Sequence, residues 1–385
     1  MHNTDLVPEP PRSSRSSSQR RRRILQITLA VLGIMLVATI IFWRSRVASA
    51  SSLTNPNNPP NAAQFQDAAE QLVIIGSPQA FQTLIQSFRQ GEQVTHRDIV
   101  IRLLATTASP NVMPALMNAL KDSDPFVRSA AAQVLGMRHE ASAVPALLDA
   151  TRDSKAQVRR EAIRALVQLD AWQALPRIDQ LMVDELQQDV RQAAQAANDA
   201  FRSEVALDLG IPMDQVHDLV ATNSNRQRYY AVTDTDFFMR DGTHWERLSA
   251  LPDAPNGVAA GSNPDLVYLA TQNSGLYTSV DGGKSWEHVQ FGLKTPTQLT
   301  VTAVTIDPEN DRQIYIALAA LGTDAKTLSG MGAFESIDGG KNFSWLRDSP
   351  MQVITTRMTL DPVDPDTRGY LIGIADDTPW RSKLP

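Results

Sequence analysis

VMPALMNAL at 112–120, AVPALLDAT at 143–151 and ALPRIDQLM at 174–182 are one phrase written three times. Pro114, Pro145 and Pro176 stand 31 residues apart, and Asp122, Asp153 and Asp184 keep the same step. Val127-Arg128, Val158-Arg159 and Val190-Arg191 follow at intervals of 31 and 32. Each pair opens an alanine-rich run: SAAAQVL (129–135), REAIRAL (160–166) or QAAQAAN (192–198). Self-similarity at a fixed period of this length marks a stacked array. Within a unit the spacing predicts helix, turn, helix. Proline opens the first helix, where its missing N–H costs nothing. The Asp segment turns the chain, and the V-R segment starts a second helix whose small alanines let stacked neighbours approach closely. Working back towards the amino terminus, 79–109 reads as a degenerate unit, with Arg97 and Leu104 in register with Arg128 and Leu135, and 62–77 as a capping helix.

Over 110–202 these units resemble the short HEAT-like repeats of phycobilin lyases and many bacterial scaffold proteins. The resemblance implies an α-solenoid, which stacks neighbour on neighbour and presents an extended concave binding surface. The repeated Asp and Arg residues are expected to form a ladder between repeats, the acid of one accepting from the arginine of another; a charged ligand site is the alternative. His139-Glu140 resembles a single His-Glu pair of the HEAT-repeat hydroxylase that acts on deoxyhypusine. That family needs several pairs, placed where this chain has Val127-Arg128 and Val158-Arg159, so His139 and Glu140 are expected to be loop residues.

After residue 203 glycine, Asp, Tyr and β-branched residues rise, and the apolar period moves from 3.6 towards 2. SVDGGKSW at 279–286 and SIDGGKNF at 336–343 share one pattern, and RDGTHW at 240–245 is a shorter third copy without the leading Ser. Strand pairs are expected ahead of each: 219–222 with 229–233, 258–261 with 266–271, and 301–307 with 314–318. Ile306-Asp307-Pro308 recurs as Leu360-Asp361-Pro362, followed by a strand at 370–374. These phrases resemble the Asp-box of the BNR propeller families, which include sialidases, sortilin-type receptors, xyloglucan-degrading enzymes and the photosystem II assembly and stability factors. The resemblance implies a blade-edge staple, with the Asp accepting turn N–H groups, glycines supplying positive φ and the aromatic packing into the blade. About four blades of roughly 45 residues fit the remaining length. The fourth lacks its own box, so 205–209 is a candidate closing strand; a half-ring pairing with another chain is the alternative. The stretch 319–331, AALGTDAKTLSGM, reads as a loop.

At the amino terminus, 24–43 (ILQITLAVLGIMLVATIIFW) is twenty residues without a charge, about 30 Å as a helix and so enough to span a bilayer. Trp43 stands at its end, where an indole suits the interface. Six arginines precede the run and Arg44 and Arg46 follow it, so the positive-inside bias places 1–23, a disordered tail, in the cytoplasm and the body outside, periplasmic or extracellular. Residues 44–61 read as a flexible stalk. Cleavage after Ala50 is the alternative, though the run is longer than an ordinary signal core.

The chain has 385 residues and a net charge of −6, but residues 1–46 carry +6, leaving −12 on the rest. An acidic body argues against nucleic-acid binding. There is no cysteine, which excludes disulfides, thiol nucleophiles and cysteine-held metals, and the six histidines are scattered singly. No phosphate loop, G-x-S-x-G, HExxH or calcium loop occurs. The arginines of the β half are not set in the phrase that opens a sialidase domain. The sequence therefore predicts a multi-domain α and β protein: a transmembrane helix, an α-solenoid of HEAT-like hairpins (62–202) and a β-propeller-like domain of about four blades (203–385). It is expected to be a non-catalytic scaffold that docks protein partners through solenoid surface and propeller loops, with an assembly or stability factor as the narrower form. No catalytic residue, cofactor or metal is assigned and the oligomeric state is left open. The alternative is a carbohydrate-active hydrolase on the propeller.

Overall fold

The computed structural model describes residues 61–88, 94–222, 227–291, 299–321, 327–361, 369–375 and 378–384; the predicted tail, the apolar run and all of the stalk but Asn61 lie outside them. Among the described residues no helix is long and apolar enough to cross a membrane. The chain divides into two compact units, 1–115 and 116–385.

In the first unit α1 (Ala62–Ile75), α2 (Pro78–Gln86) and α3 (Val94–Thr106) lie where the capping helix and degenerate repeat are expected. Asn61 and Gln64 form a reciprocal capping box at the start of α1, and Ser77 caps α2 through the N–H of Ala80. Gly76, at φ 63, ends α1 in the left-handed conformation. Phe65, Phe81, Leu84, Phe88 and Leu104 are fully buried here, and the Phe65 ring stacks on His96 at 4.0 Å.

After α4 (Val112–Ala119), which carries the unit boundary, come α5 (Pro125–Met137), α6 (Val144–Ala150), α7 (Ala156–Gln168), α8 (Leu175–Asp184) and α9 (Gln188–Leu209). Proline sits in the first turn of α5, α6 and α8. The second helices α5, α7 and α9 pack in succession. The alanines explain the closeness, and Gly136 measures it: a β-carbon there would lie 2.7 Å from Ala165 Cα. The expected ladder is present. Arg128 clasps Asp153 through Nε and Nη2 at 2.7 and 2.8 Å, and Arg159 clasps Glu185 at 2.7 and 2.6 Å. Both arginines also donate to carbonyls of their own turns, Asp122 and Asp153. The third acid is Glu185 rather than Asp184, in step with the 32-residue interval from Arg159 to Arg191. His139, at φ 52, bonds the Gln168 carbonyl at 2.9 Å through Nδ1, which gives it a turn-holding role.

Helix α9 runs through residue 203 and on to Leu209, so 205–209 is helix and not the expected closing strand. Val205 and Ala206 are buried on the same helical face as Ala197, Asn198 and Phe201, which continues the apolar period of the repeat.

Among the described residues fifteen strands then form four antiparallel meanders in chain order. Sheet I holds β1 (Val216–Ala221), β2 (Tyr229–Thr233), β3 (Asp236–Asp241) and β4 (His244–Ala250). Sheet II holds β5 (Pro255–Ala260), β6 (Val267–Thr271), β7 (Leu276–Ser279) and β8 (Glu287–His288). Sheet III holds β9 (Leu299–Asp307), β10 (Asn310–Leu321), β11 (Leu328–Ser336) and β12 (Ser344–Trp345). Sheet IV has only β13 (Thr355–Asp361), β14 (Tyr370–Ala375) and β15 (Thr378–Lys383). The predicted strand pairs match these elements. The expected loop at 319–331 is instead mostly the far end of the β10–β11 hairpin, with Ala319, Ala320 and Leu321 paired to Gly330, Ser329 and Leu328; residues 322–326 lie outside the described set.

Sheets pack face to face through apolar layers. Tyr230, Phe237, Val258 and Leu269 lie between I and II, Tyr268, Ile314, Ile316 and Phe343 between II and III, and Tyr315, Ala317, Leu371 and Met358 between III and IV. The first strands β1, β5, β9 and β13 neighbour one another in that order, and α8 touches both β1 and β13. A helix of the repeat array thus occupies the position between sheets IV and I.

Candidate functional site

Two turns carry the repeated S-x-D-G-G-K phrase, each between the third and fourth strand of its sheet. In the first, Asp281 accepts the N–H groups of Lys284 and Ser285 at 3.0 and 2.9 Å and the Ser285 hydroxyl at 2.6 Å. Ser279 donates to Asp281 and accepts from Gly283 N, both at 2.7 Å. Asp338 repeats this with Lys341, Asn342 and Ser336. The Ser285 hydroxyl and turn N–H groups pull the Asp281 carboxyl down to about 2, and the Asn342 amide leads the same effect at Asp338. Each turn seats on the preceding sheet. Trp286 meets Phe237 edge-on at 5.1 Å and donates to Ser249 at 3.0 Å, and a β-carbon on Gly283 would lie 2.1 Å from Phe237. Phe343 meets Phe291 at 5.5 Å.

The third phrase does not build this turn. Asp241 pairs with His244, so the chain reverses through Gly242 and Thr243 alone, Gly242 at φ 61. One residue fewer leaves a tight hairpin. Its Trp245 turns to the helical layer instead, 5.6 Å from Trp172, over whose ring Arg240 stacks at 4.2 Å while pairing with Glu204 at 3.1 Å.

A chain of side-chain-to-backbone bonds crosses the inner strands. Asp218 on β1 accepts from Val258 N on β5 at 3.1 Å, Asn256 on β5 donates to Val301 O on β9 at 2.9 Å, and Thr302 on β9 donates to Thr355 O on β13 at 2.6 Å. Beside this chain lies a cavity of about 370 Å³ lined by Asn256, Gln272, Asn273, Thr300, Thr302 and Thr356, with Leu328 and Ile354. All six polar lining residues are neutral amides or hydroxyls. Such a lining suits a ligand with alternating hydrogen-bond donors and acceptors, a peptide backbone or a row of sugar hydroxyls. Sequence reasoning missed this cavity because its residues are scattered over 100 positions with no motif among them.

Where α8 meets β1 and β13, Asp179, Asp218 and Arg357 face one another. Each is half-buried. Burial pushes the Asp179 carboxyl up to about 7, opposed by Arg357 and aided by Asp218; burial likewise raises Asp218. Among the described residues no group of three metal-ligating side chains occurs.

The helical region matches the HEAT repeats family over 81–157 and 133–199. A probable oligoxyloglucan-reducing end-specific xyloglucanase of Neosartorya fischeri is 30% identical over 108 residues, 28% of this chain and 11% of that protein, so the chain spans only a small part of that relative's length. Among solved structures, an ancestral GH74 enzyme has a TM-score of 0.34 at 19% identity, covering 44% of this chain and 22% of that one. YCF48 from Cyanidioschyzon merolae has a TM-score of 0.32 at 13% identity, covering 43% of this chain and 50% of that one. The chain thus joins a helical region that matches HEAT repeats to four antiparallel sheets among the described residues.

Proposed function

We propose that the protein is a membrane-anchored, non-catalytic interaction scaffold. Residues 24–43 form the anchor with the amino terminus cytoplasmic, and the HEAT-type helices and a BNR-type propeller stand outside, with the SxDGGK turns as its Asp-boxes. The observation that supports docking is the neutral cavity beside the inner strands: amides and hydroxyls from three sheets converge on one space, offering a polypeptide segment both donors and acceptors. The HEAT repeats add an extended surface of the kind that stacks against partner proteins. An assembly or stability factor for a membrane complex is the narrower form of this reading. The outward topology belongs to the same proposal. Protease added outside sealed cells should digest 62–385 and spare the tail; a protected body would contradict the topology.

The match to the xyloglucanase supports a second reading, a carbohydrate-active hydrolase. The two readings separate on one assay. A photo-crosslinker placed at exposed Thr356 should yield protein adducts in intact membranes under the scaffold reading. The hydrolase reading requires instead that the full-length protein cleave xyloglucan oligosaccharides and lose that activity through a single carboxylate.

A further inference from the structure

The ladder of the helical repeats ends on an arginine with no acid to hold. Arg128, Arg159 and Arg191 stand in the first turns of α5, α7 and α9. Each sends Nη1 to the carbonyl six residues before it, Asp122, Asp153 or Glu185, at 2.8, 2.8 and 2.9 Å. This shared bond anchors the guanidinium the same way three times and leaves Nε and Nη2 as a fork. In the first two copies a carboxylate of the following unit fills the fork, Asp153 for Arg128 and Glu185 for Arg159. The links thus run Arg128, Asp153, Arg159, Glu185, Arg191, each acid taking one arginine on its carboxylate and the next on its carbonyl. At Arg191 the run stops. This arginine is half-buried, and among the described residues neither its Nε nor its Nη2 has a partner.

We propose that the Arg191 fork is a docking point for a carboxylate of a partner protein, carried on a turn that takes the place of a next helical hairpin. The filled rungs supply the pattern for the occupant. Each rung acid also accepts the N–H two residues on, Asp153 from Lys155 and Glu185 from Gln187, both at 2.9 Å. The acid is thus presented on a tight turn, and an Asp or Glu on a partner's turn would meet the fork in the same way. A guanidinium takes a carboxylate through two parallel bonds, which a lysine ammonium does not reproduce. The last turn also differs from its two predecessors. The residue after the carbonyl that holds the arginine is Ser123 in the first, Ser154 in the second and Leu186 in the third. Leu186 is 83% exposed. One exposed leucine means little by itself, but a repeat array ordinarily closes on a polar outer face. This end carries an open cation and an apolar side chain, so the partner's acid is expected to have an apolar residue close by.

The surroundings suit this role. Bonds from α9 to the strands lie at Arg202, which donates to the Val216 carbonyl, and at Glu204, which pairs with Arg240. Those residues stand about three turns beyond Arg191. In the first turns of α9, Gln188, Asp189, Gln192 and Gln195 are exposed. The acids nearest in sequence are already engaged, Glu185 by Arg159 and Asp189 by Arg160 at 2.7 Å. Arg191 therefore keeps an uncompensated positive charge, on a body that is acidic elsewhere. This site rests on the interaction reading but uses no residue of the neutral cavity.

The test places a benzoylphenylalanine photo-crosslinker at exposed Gln188 of the full-length protein in native membranes and maps the adducted peptides by mass spectrometry. Adducts should map to one segment of another protein, with an Asp or Glu within a few residues of the attachment point. Their yield should fall several-fold in Arg191→Ala and also in Arg191→Lys, which keeps the charge but not the fork. It should hold in Arg164→Ala, which removes an exposed arginine paired with Glu161. The helical signal at 222 nm should be alike in all three variants, since Arg191 holds no acid within the chain. Changing the mapped acid to Arg should abolish the adducts, and combining that change with Arg191→Glu should restore them. An unchanged yield in Arg191→Ala, adducts on segments without an acid, or adducts on this chain's own peptides overturn the proposal. Adducts from Thr356 with none from Gln188 overturn it and leave the interaction reading standing, whereas none from either position removes both.

Discussion

Asp218 Oδ2 lies 3.1 Å from the N–H of Val258, so one carboxylate ties the inner strand of sheet I to that of sheet II. The bond crosses between two sheets that share no backbone ladder, and the Asn256–Val301 and Thr302–Thr355 bonds repeat the device at the next two seams. Replacing Asp218 by Ala orphans a backbone donor and should destabilise the body by about 1–3 kcal/mol, read from urea melts. Asp218→Asn keeps an acceptor and should cost less. Equal losses would show that the bond is incidental.

The turn glycines separate conformation from crowding. Gly283 (φ +89) and Gly339 (φ +78) both occupy the left-handed region, but a β-carbon would strike Phe237 at 2.1 Å only in the first, and meets nothing within 4 Å in the second. Gly339→Ala should cost about 1 kcal/mol of backbone strain, and Gly283→Ala clearly more because Phe237 must shift. Indistinguishable melting temperatures would contradict the seating of this turn on sheet I.

Much of this was legible in the sequence, and the exceptions have physical reasons. The 31-residue proline spacing located the helical hairpins, since a periodic local signal needs no tertiary information. The ladder was expected, but its second rung fell on Glu185 rather than Asp184. The 32-residue step from Arg159 to Arg191 carries that shift and could have revealed it. RDGTHW looked like a third copy of the turn, yet this shorter copy closes as a two-residue hairpin through Gly242 and Thr243, where the other two turns run through 280–286 and 337–343. The stretch 205–209 alternates like a strand but is helical, with Val205 and Ala206 continuing the buried face of α9 and Leu207 left exposed. The cavity was illegible, since contacts between distant elements leave no local pattern.

The ladder should matter to stability. Arg159 and Glu185 are both largely buried and doubly bonded, so Arg159→Ala leaves an acid buried without its clasp. A loss of about 2–4 kcal/mol is expected in the helical signal at 222 nm. Arg164→Ala, on a 60% exposed arginine, should change stability by under about 0.5 kcal/mol. Similar effects would mean that the buried rung contributes no more than a surface pair.

In acid the two SxDGGK turns should fail late. With folded values of about 2 at Asp281 and Asp338, below the ordinary carboxylate range, these groups contribute stability above about pH 4 that is lost as pH falls towards about 2. Changing both to Asn should remove the part of the acid-induced decline that lies in that window. An unchanged acid limb in thermal melts would show that the turns stay folded when protonated.

The scaffold reading stands or falls on what occupies the neutral cavity. The most direct measurement is photo-crosslinking from Thr356 in native membranes, followed by mass spectrometry of the adducts, with Gln272→Ala, an exposed lining amide outside the seam bonds, as the comparison variant. The account predicts adducts that map to one extended segment of a protein partner and that fall sharply in Gln272→Ala. Adducts confined to carbohydrate, together with xyloglucan cleavage abolished by a single Asp→Asn change, would contradict it.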